Sequence, residues 1–356
     1  MSLGAVRTEA DSAPGKTPDK PPSRRAQSAR AFGLLVALGV LALVFLLSLW
    51  IGSRNIAFLD TWNVLWHNDG SEEAIIIHDL RIPRALIGLL VGIGLGVGGA
   101  LMQAVTRNPL ADPGILGVTM GASASVVVAI AFLGITSVLG YVWFAFAGAA
   151  IASFVVYLLG SAGASSATPE RLVLAGAAIT AVLFAFNQAV LLLDPTAFNE
   201  FRFWEIGSIA GRKMDVVVRI APFIGAGLLL ALSQARPLNA LALGDQAGRA
   251  LGAKVGTTRL LTAVAITLLC GAATAAAGPI TFVGLAVPHV ARLIAGPDQR
   301  WVLPYSTVLA PILMLGADVI GRKIGGAEEF EVGIMTAFVG APVFIWLCRR
   351  RKSARL

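Results

Sequence analysis

The chain has 356 residues, 56% hydrophobic and 13% charged, with a formal net charge of +8. Soluble domains carry about 25% charged residues, and a bilayer-crossing helix needs about 20 apolar residues at about 1.5 Å each. Uncharged runs of that order recur at 31–50, 85–106, 113–169, 172–193, 220–235, 260–291, 301–317 and 332–348, which excludes an ordinary soluble globule. An outer-membrane β-barrel is disfavoured too, because its strands alternate apolar with polar residues and these runs do not.

In chain order, residues 1–30 are rich in Pro, Ser, Ala, Lys and Arg and read as a disordered tail. The run at 31–51 reads as a retained first helix rather than a signal peptide, since no small-x-small cleavage pattern follows Trp50. Further helices are expected near 82–105, 114–133, 142–160 and 171–193. The segment 194–215 carries Phe198, Phe201, Phe203 and Trp204, which suit the membrane interface. A sixth helix near 216–233 leads to a polar loop at 234–258. Two helices share 259–294, broken near Gly278-Pro279, and two more lie near 302–321 and 332–348, before a basic tail at 349–356. The expected fold is an all-α membrane protein with about ten transmembrane helices in one domain, 31–348, chosen from a range of eight to ten.

Ten spans with the N-terminus inside place 19 of the 28 Lys and Arg in segments on one side. That bias puts both termini in the cytoplasm. It also accounts for the basic charge through the lipid bilayer, with no nucleic acid as partner. Cys270 and Cys348 both lie in apolar runs, with no disulfide framework, and are expected to be small core residues.

Several motifs carry less than they suggest. Gly94-Leu95-Gly96-Val97-Gly98-Gly99 matches G-x-G-x-x-G, but it lies inside a span and not in a strand–turn–helix unit. No G-x-x-x-x-G-K-[ST] occurs, so any ATP belongs to another chain. His67, His78 and His289 lack metal-ligand spacing, and no cofactor is expected. Gly88, Gly92, Gly96 and Gly99 form a flat face on the second helix, and Gly117 and Gly121 do the same at the start of the third; the reading is close helix packing.

Polar groups in apolar surroundings are the functional candidates. Gln103, Asn187 and Gln188 suit either interhelical hydrogen bonding or a polar path. Asp318 is a buried-acid candidate, or a partner for Arg322 four residues on. Arg81 and Arg84 stand before the second helix and suit either interfacial anchoring or docking onto acidic groups, with Arg322 able to join them. The stretch 241–255 reads as a short helix with Asp245 as its N-cap, Gly252 as its stop, and Ala247, Ala250 and Leu251 as an apolar face. It is either a connector or a peg for a cytoplasmic partner.

Three ordered segments carry a family resemblance: Gln103 through Gly121, containing Asn108-Pro109-Leu110-Ala111; Gly278 through Arg292; and Val332-Gly333 through Phe344. With these, nearly all of 31–350 resembles the FecCD family of ABC importer permeases, which carry iron–siderophores, haem or vitamin B12. The resemblance implies a ten-helix bundle in the cytoplasmic (inner) membrane. It also implies a second permease subunit, identical or paralogous, two cytoplasmic ABC ATPase subunits and an extracytoplasmic substrate-binding protein. It assigns binding-protein docking to Arg81, Arg84 and Arg322. It assigns the ATPase-coupling helix to Leu243, Gly244, Asp245, Gln246, Ala247, Arg249, Ala250, Leu251 and Gly252, and the inner gate region to Thr168, Pro169 and Glu170. Two departures stand out. Ala327 and Glu331 replace the family's usual prolines before the last Val-Gly, and Pro169 and Glu170 stand where small hydroxyl residues are common. The function expected is transport of ferric siderophores with energy from partner ATPases, with haem or vitamin B12 as alternative cargoes and no catalysis in this chain. The rival classes are an ion-coupled secondary transporter, which would need buried acids at mid-membrane, and a receptor or scaffold without transport.

Overall fold

A computed structural model describes residues 24–67, 69–162, 168–326 and 329–353, and among them no strand occurs. The helices are α1 (Arg24–Trp50), α2 (Phe58–Trp66), α3 (Glu72–Ile75), α4 (Ile82–Thr106), α5 (Val118–Leu133), α6 (Val138–Ser161), α7 (Pro169–Leu193), α8 (Pro195–Glu205), α9 (Met214–Ser233), α10 (Ala235–Ala242), α11 (Asp245–Ala250), α12 (Val255–Ala277), α13 (Val283–Ala295), α14 (Gln299–Gly325) and α15 (Val332–Ser353). Seven helical segments are long and apolar enough to cross a membrane, and α5, α13 and the apolar part of α15 are shorter apolar helices. Together they make the ten apolar helices expected, among the described residues. Uncharged runs have no alternative in lipid, where each backbone polar group must be satisfied within the segment.

Several expected boundaries move, and some segments hold helices not foreseen. Helix α1 begins at Arg24, inside the stretch read as a disordered tail; residues 1–23 lie outside the described residues. The polar loop 234–258 contains two short helices, α10 and α11, in place of one. The segment after α1 is helical as well, with α2 and α3 leading through a π-helical turn, Ile76–Arg81, directly into α4. In α8, Phe201 and Trp204 are buried while Phe198 and Phe203 are exposed, so only half of its aromatic set faces outward.

The turns are built by short polar side chains. Between α4 and α5, Asn108 Oδ1 accepts from Leu110 N at 2.9 Å and Asp112 Oδ1 from Gly114 N at 2.8 Å. These Asx turns explain why that motif needs Asn and Asp. Asp194 caps α8 and Asp298 caps α14 in the same way. The break expected at Gly278-Pro279 is present. Gly278 has φ +75°, and a Cβ there would overlap the Trp204 carbonyl. Helix α13 therefore restarts inside the bundle as a half-length helix.

Helix α4 is the central element, packed on α9, α12, α13 and α14 and buried along most of its length. A Cβ at Gly92 would lie 2.7 Å from the Pro311 backbone of α14, and one at Gly96 would overlap Ala310. Gly94 and Gly98 face Leu269 and Cys270 of α12, while a Cβ at Gly99 would overlap the Gly284 carbonyl of α13. The glycine face is thus real but serves three neighbours. Gly121 and Gly148 make the corresponding close approach between α5 and α6. Gly117 has a different role: it caps the 3₁₀ turn Pro113–Leu116 with φ +73°.

Both α1 and α15 have their outer chain ends on the same side of the bundle. Near its start, α1 meets the start of α14 through the Tyr305 hydroxyl, which donates to the Arg30 carbonyl at 2.7 Å. The start of α15 lies at the opposite end, where Gly333 N–H donates to the Gly207 carbonyl at 3.0 Å.

Gly99→Val should prevent recovery of folded protein, since backbone overlap exceeds the about 1–3 kcal/mol cost of ordinary overpacking. Gly225→Ala, where a Cβ meets nothing within 4 Å, should leave thermal unfolding in detergent essentially unchanged.

Candidate functional site

At one end of the bundle, the π-helical turn brings Arg81 and Arg84 beside Arg322 and Asp318 of α14. Arg81 is 5% exposed, and its guanidinium donates to the carbonyls of Leu49 at 2.9 Å, Trp50 at 2.5 Å and Arg54 at 2.6 Å. It satisfies the orphan carbonyls at the end of α1. Arg322, 2% exposed, donates to Ser48 O at 3.1 Å and Ser48 Oγ at 2.8 Å. Its ion pair with Asp318 Oδ2 spans 3.0 Å, the i,i+4 partnership read from the sequence. Asp318 is fully buried and accepts at Oδ1 from Arg84 Nε at 3.0 Å and from a second Arg84 nitrogen at 2.7 Å.

The three arginines expected to dock a binding protein are therefore engaged within the chain to different degrees. Arg81 and Arg322 are buried because their donors hold the end of α1. Only Arg84 has an edge to spare, and that edge meets Glu329. The group lines a cavity of about 320 Å³, together with Ser53, Arg54, Leu80 and Gly211. Burial pushes the Glu329 carboxyl up, but the hydrogen bond and charge of Arg84, helped by Ser53 and Arg322, outweigh it and hold the group below its ordinary value. Glu329 belongs to the loop where prolines are missing; residues 327 and 328 lie outside the described residues.

At the opposite end, Asp245 was expected to cap α11. Gly244, with φ +105°, holds the cap position and Asp245 is the first helical residue. Its carboxylate is bound instead by Arg107, at the end of α4, and by buried Arg259 of α12 at 2.9 and 3.0 Å. Gly252 does stop the helix: Ala253 N–H donates to the Gly248 carbonyl at 2.9 Å and Gly252 N–H to Arg249 at 2.9 Å, a Schellman closure. Leu243, Gln246, Ala247, Arg249, Ala250, Leu251 and Gly252 are all exposed. The small apolar face is therefore presented outward, while the ion pairs tie its base to α4 and α12. Thr168 is the N-cap position of α7 and Pro169 and Glu170 its first residues, Glu170 exposed; residues 163–167 before them lie outside the described residues.

The three polar candidates are not brought together. Gln103 is buried, donating to the Gly284 and Leu285 carbonyls at 3.3 and 3.2 Å and accepting from Arg292. It stitches α4 to the first turn of α13, so its interhelical role is the one realised. Asn187 donates to Ser123 Oγ of α5 at 2.9 Å inside the protein, whereas Gln188 is on the exposed face of α7 with Val182, Phe184 and Leu192. His78 and His289 each meet a backbone carbonyl, of Val64 at 3.0 Å and of Leu285 at 3.1 Å. Cys270 is a buried core residue, as expected; the Cys348 side chain lies outside the described residues. Sequence reasoning overlooked Arg107, Arg259 and Glu329, whose partners lie 138, 14 and 245 residues away.

The fold and its two charged ends define a multi-pass helical membrane protein built around one glycine-faced central helix. The profile of the FecCD transport family matches residues 40–350, and the chain belongs to that family. It is 43% identical over 323 residues to the ferric enterobactin transport system permease protein FepD of Escherichia coli, covering 90% of this chain and 96% of that protein. It is 40% identical over 333 residues to the Fe(3+)-citrate import system permease protein YfmD of Bacillus subtilis, covering 94% and 99%. Among solved structures, an inward-facing metal-chelate type ABC transporter superposes with a TM-score of 0.80 at 27% identity, over 90% of this chain and 99% of that one.

Asp318→Asn should leave Arg322 buried without its counter-charge and Arg84 with Glu329 alone, and lower stability by about 3–5 kcal/mol, read as a drop in unfolding temperature in lipid. The lowered Glu329 value means that this contact adds stability in full above the ordinary carboxylate range, lost as pH falls through the folded value. Glu329→Gln should flatten that acid limb of the stability–pH curve.

Proposed function

We propose that this chain is the permease subunit of an ABC importer in the cytoplasmic membrane, with both termini in the cytoplasm, and that its cargo is a ferric siderophore. The observation carrying this reading is the elbow at 241–255: an exposed apolar knob, on a helix stiffly joined to α4 and α12 through Asp245. A knob of that shape suits a groove in a soluble partner, and the partner assigned is an ABC ATPase, one for each of two permease subunits. Movement of the knob when ATP binds would reach Arg107 and Arg259 without slack. From there it passes to α4, and through Gln103 to the half-helix α13. The named relatives that carry enterobactin-bound iron and iron citrate support the cargo; haem and vitamin B12 are the alternatives within the family.

The chain itself would hold no cofactor and catalyse no reaction. The largely exposed face of α7, with Gln188 on it, would meet a second permease subunit along the path, and Thr168 to Glu170 would form part of the inner gate. On the other side, the cavity beside Arg84 would receive an acidic group of the extracytoplasmic binding protein. An ion-coupled transporter is the weaker reading, because Asp318 is engaged by two arginines near one end of the bundle.

Leu243→Asp with Leu251→Asp should abolish ATP-driven uptake in proteoliposomes containing ATPase and binding protein, while the permease remains folded; undiminished uptake would refute the coupling role. Arg84→Glu should weaken binding-protein association by roughly tenfold or more and alter its salt dependence. Unchanged affinity would return Arg84 to a purely structural part.

A further inference from the structure

Helix α2 has two unlike faces. Thr61 and Val64 are buried, Val64 packing with Ile56, Ala74 and Ile77. The opposite side presents Phe58, Leu59, Trp62 and Trp66 with 55%, 71%, 47% and 68% of their surface exposed. Positions 58, 59, 62 and 66 fall on one stripe of a helix, and the helix contains no Lys or Arg. Trp62 and Trp66 pack edge to face, 6.0 Å between centroids.

Continuity with the membrane-facing surface says what covers this stripe. The uncharged part of α1, 31–50, is about 30 Å long at about 1.5 Å per residue, the thickness of the hydrocarbon layer. Trp50 therefore stands at the edge of that layer, and its ring meets Phe58 of α2 edge to face at 5.5 Å. The exposed side of α1, which includes Leu35, Leu43 and Leu46, thus meets the aromatic side of α2 through the Trp50–Phe58 contact. Beside this junction lies a cavity of about 550 Å³ between α1 and α14. Its walls include Trp50, Ile56, Val319 and Ile320, and Asn55 and Lys323 stand on it. Lys323 is exposed and has no ion pair among the described residues.

We propose that α2 lies flat in the bilayer interface, and that the adjoining cavity holds one glycerophospholipid, its phosphate on Lys323 and its acyl chain against Ile320 and Trp50. Tryptophan-rich helix faces partition to the headgroup boundary. A lysine ammonium at the rim of an apolar cleft matches a phosphate above a hydrocarbon tail. The binding protein is the competing occupant, but an acidic lobe would find no cation on α2, whose first turn carries Asp60. The bound lipid would brace the end of α1 next to the Arg81 and Arg322 contacts, whatever the cargo.

The test uses the whole transporter in nanodiscs of phosphatidylethanolamine and phosphatidylglycerol with bromine on the acyl chains near the headgroups. The fluorescence lost in W62F/W66F reports those two rings; the replacements keep the apolar face. Quenching of that component by the brominated lipid, with protection from aqueous iodide, is expected. Quenching by iodide alone, or shielding that appears only when binding protein is added, would overturn the interfacial placement. Native mass spectrometry should show one fewer retained phospholipid per permease copy in Lys323→Gln than in the wild type. Equal retention in both Lys323→Gln and Lys323→Glu would overturn the lipid site.

Discussion

The absence of side chains on the glycine face of α4 is the constraint on which the architecture depends. In a bilayer, lipid tails are as apolar as leucine, so helices gain little from hydrophobic association and must cohere by packing and hydrogen bonds. Gly92, Gly96 and Gly99 let α14 and α13 approach until backbone touches backbone; Gly94 does the same for α12, and Gly98 makes room for the Cys270 side chain. Close approach of that kind aligns the polar groups as well. It places Gln103 within reach of the carbonyls at the start of α13, where a half-length helix would otherwise leave its position underdetermined.

The charged group at the Arg84 end depends on the same seam. Burying Asp318 is costly, and the cost is offset only because α4 and α14 lie close enough for Arg84 and Arg322 to reach it together. The two further arginine contacts, from Arg81 and Arg322 to the last turn of α1, satisfy carbonyls that a helix end exposes. The cluster is better understood as the device that sets how α1, α4 and α14 meet than as a source of net stability. The π-helical turn Ile76–Arg81 runs directly into α4, and the two arginines three residues apart take different partners.

The opposite end uses the same chemistry for a different purpose. Asp245 joins the elbow to two long helices through short charged contacts, and the apolar knob it carries is turned outward. In the proposed coupling role, a base held by these ion pairs would carry displacement of the tip into α4 and α12. The chain therefore has two rigid ends linked by one central helix. Its least buried long apolar helices, among the described residues, are α1 and α7.

Much of this was legible in the sequence because the relevant physics is local. Apolar length decides that a segment spans, Gly278-Pro279 decides where one breaks, and Asn108, Asp112 and Gly252 build their turns from neighbouring residues. The family signatures, too, are stretches of adjacent residues. What the sequence could not decide was which of several compatible partners each polar side chain takes. Arg81 and Arg322 suit docking or anchoring equally until the end of α1 is seen to lie against them. Asp245 suits an N-cap until Arg107 and Arg259 converge on it, and Asn187 and Gln188, adjacent in the chain, prove to face opposite ways. Those choices rest on contacts between residues far apart in the chain, and only the packing of α4 against its neighbours brings them within hydrogen-bonding distance.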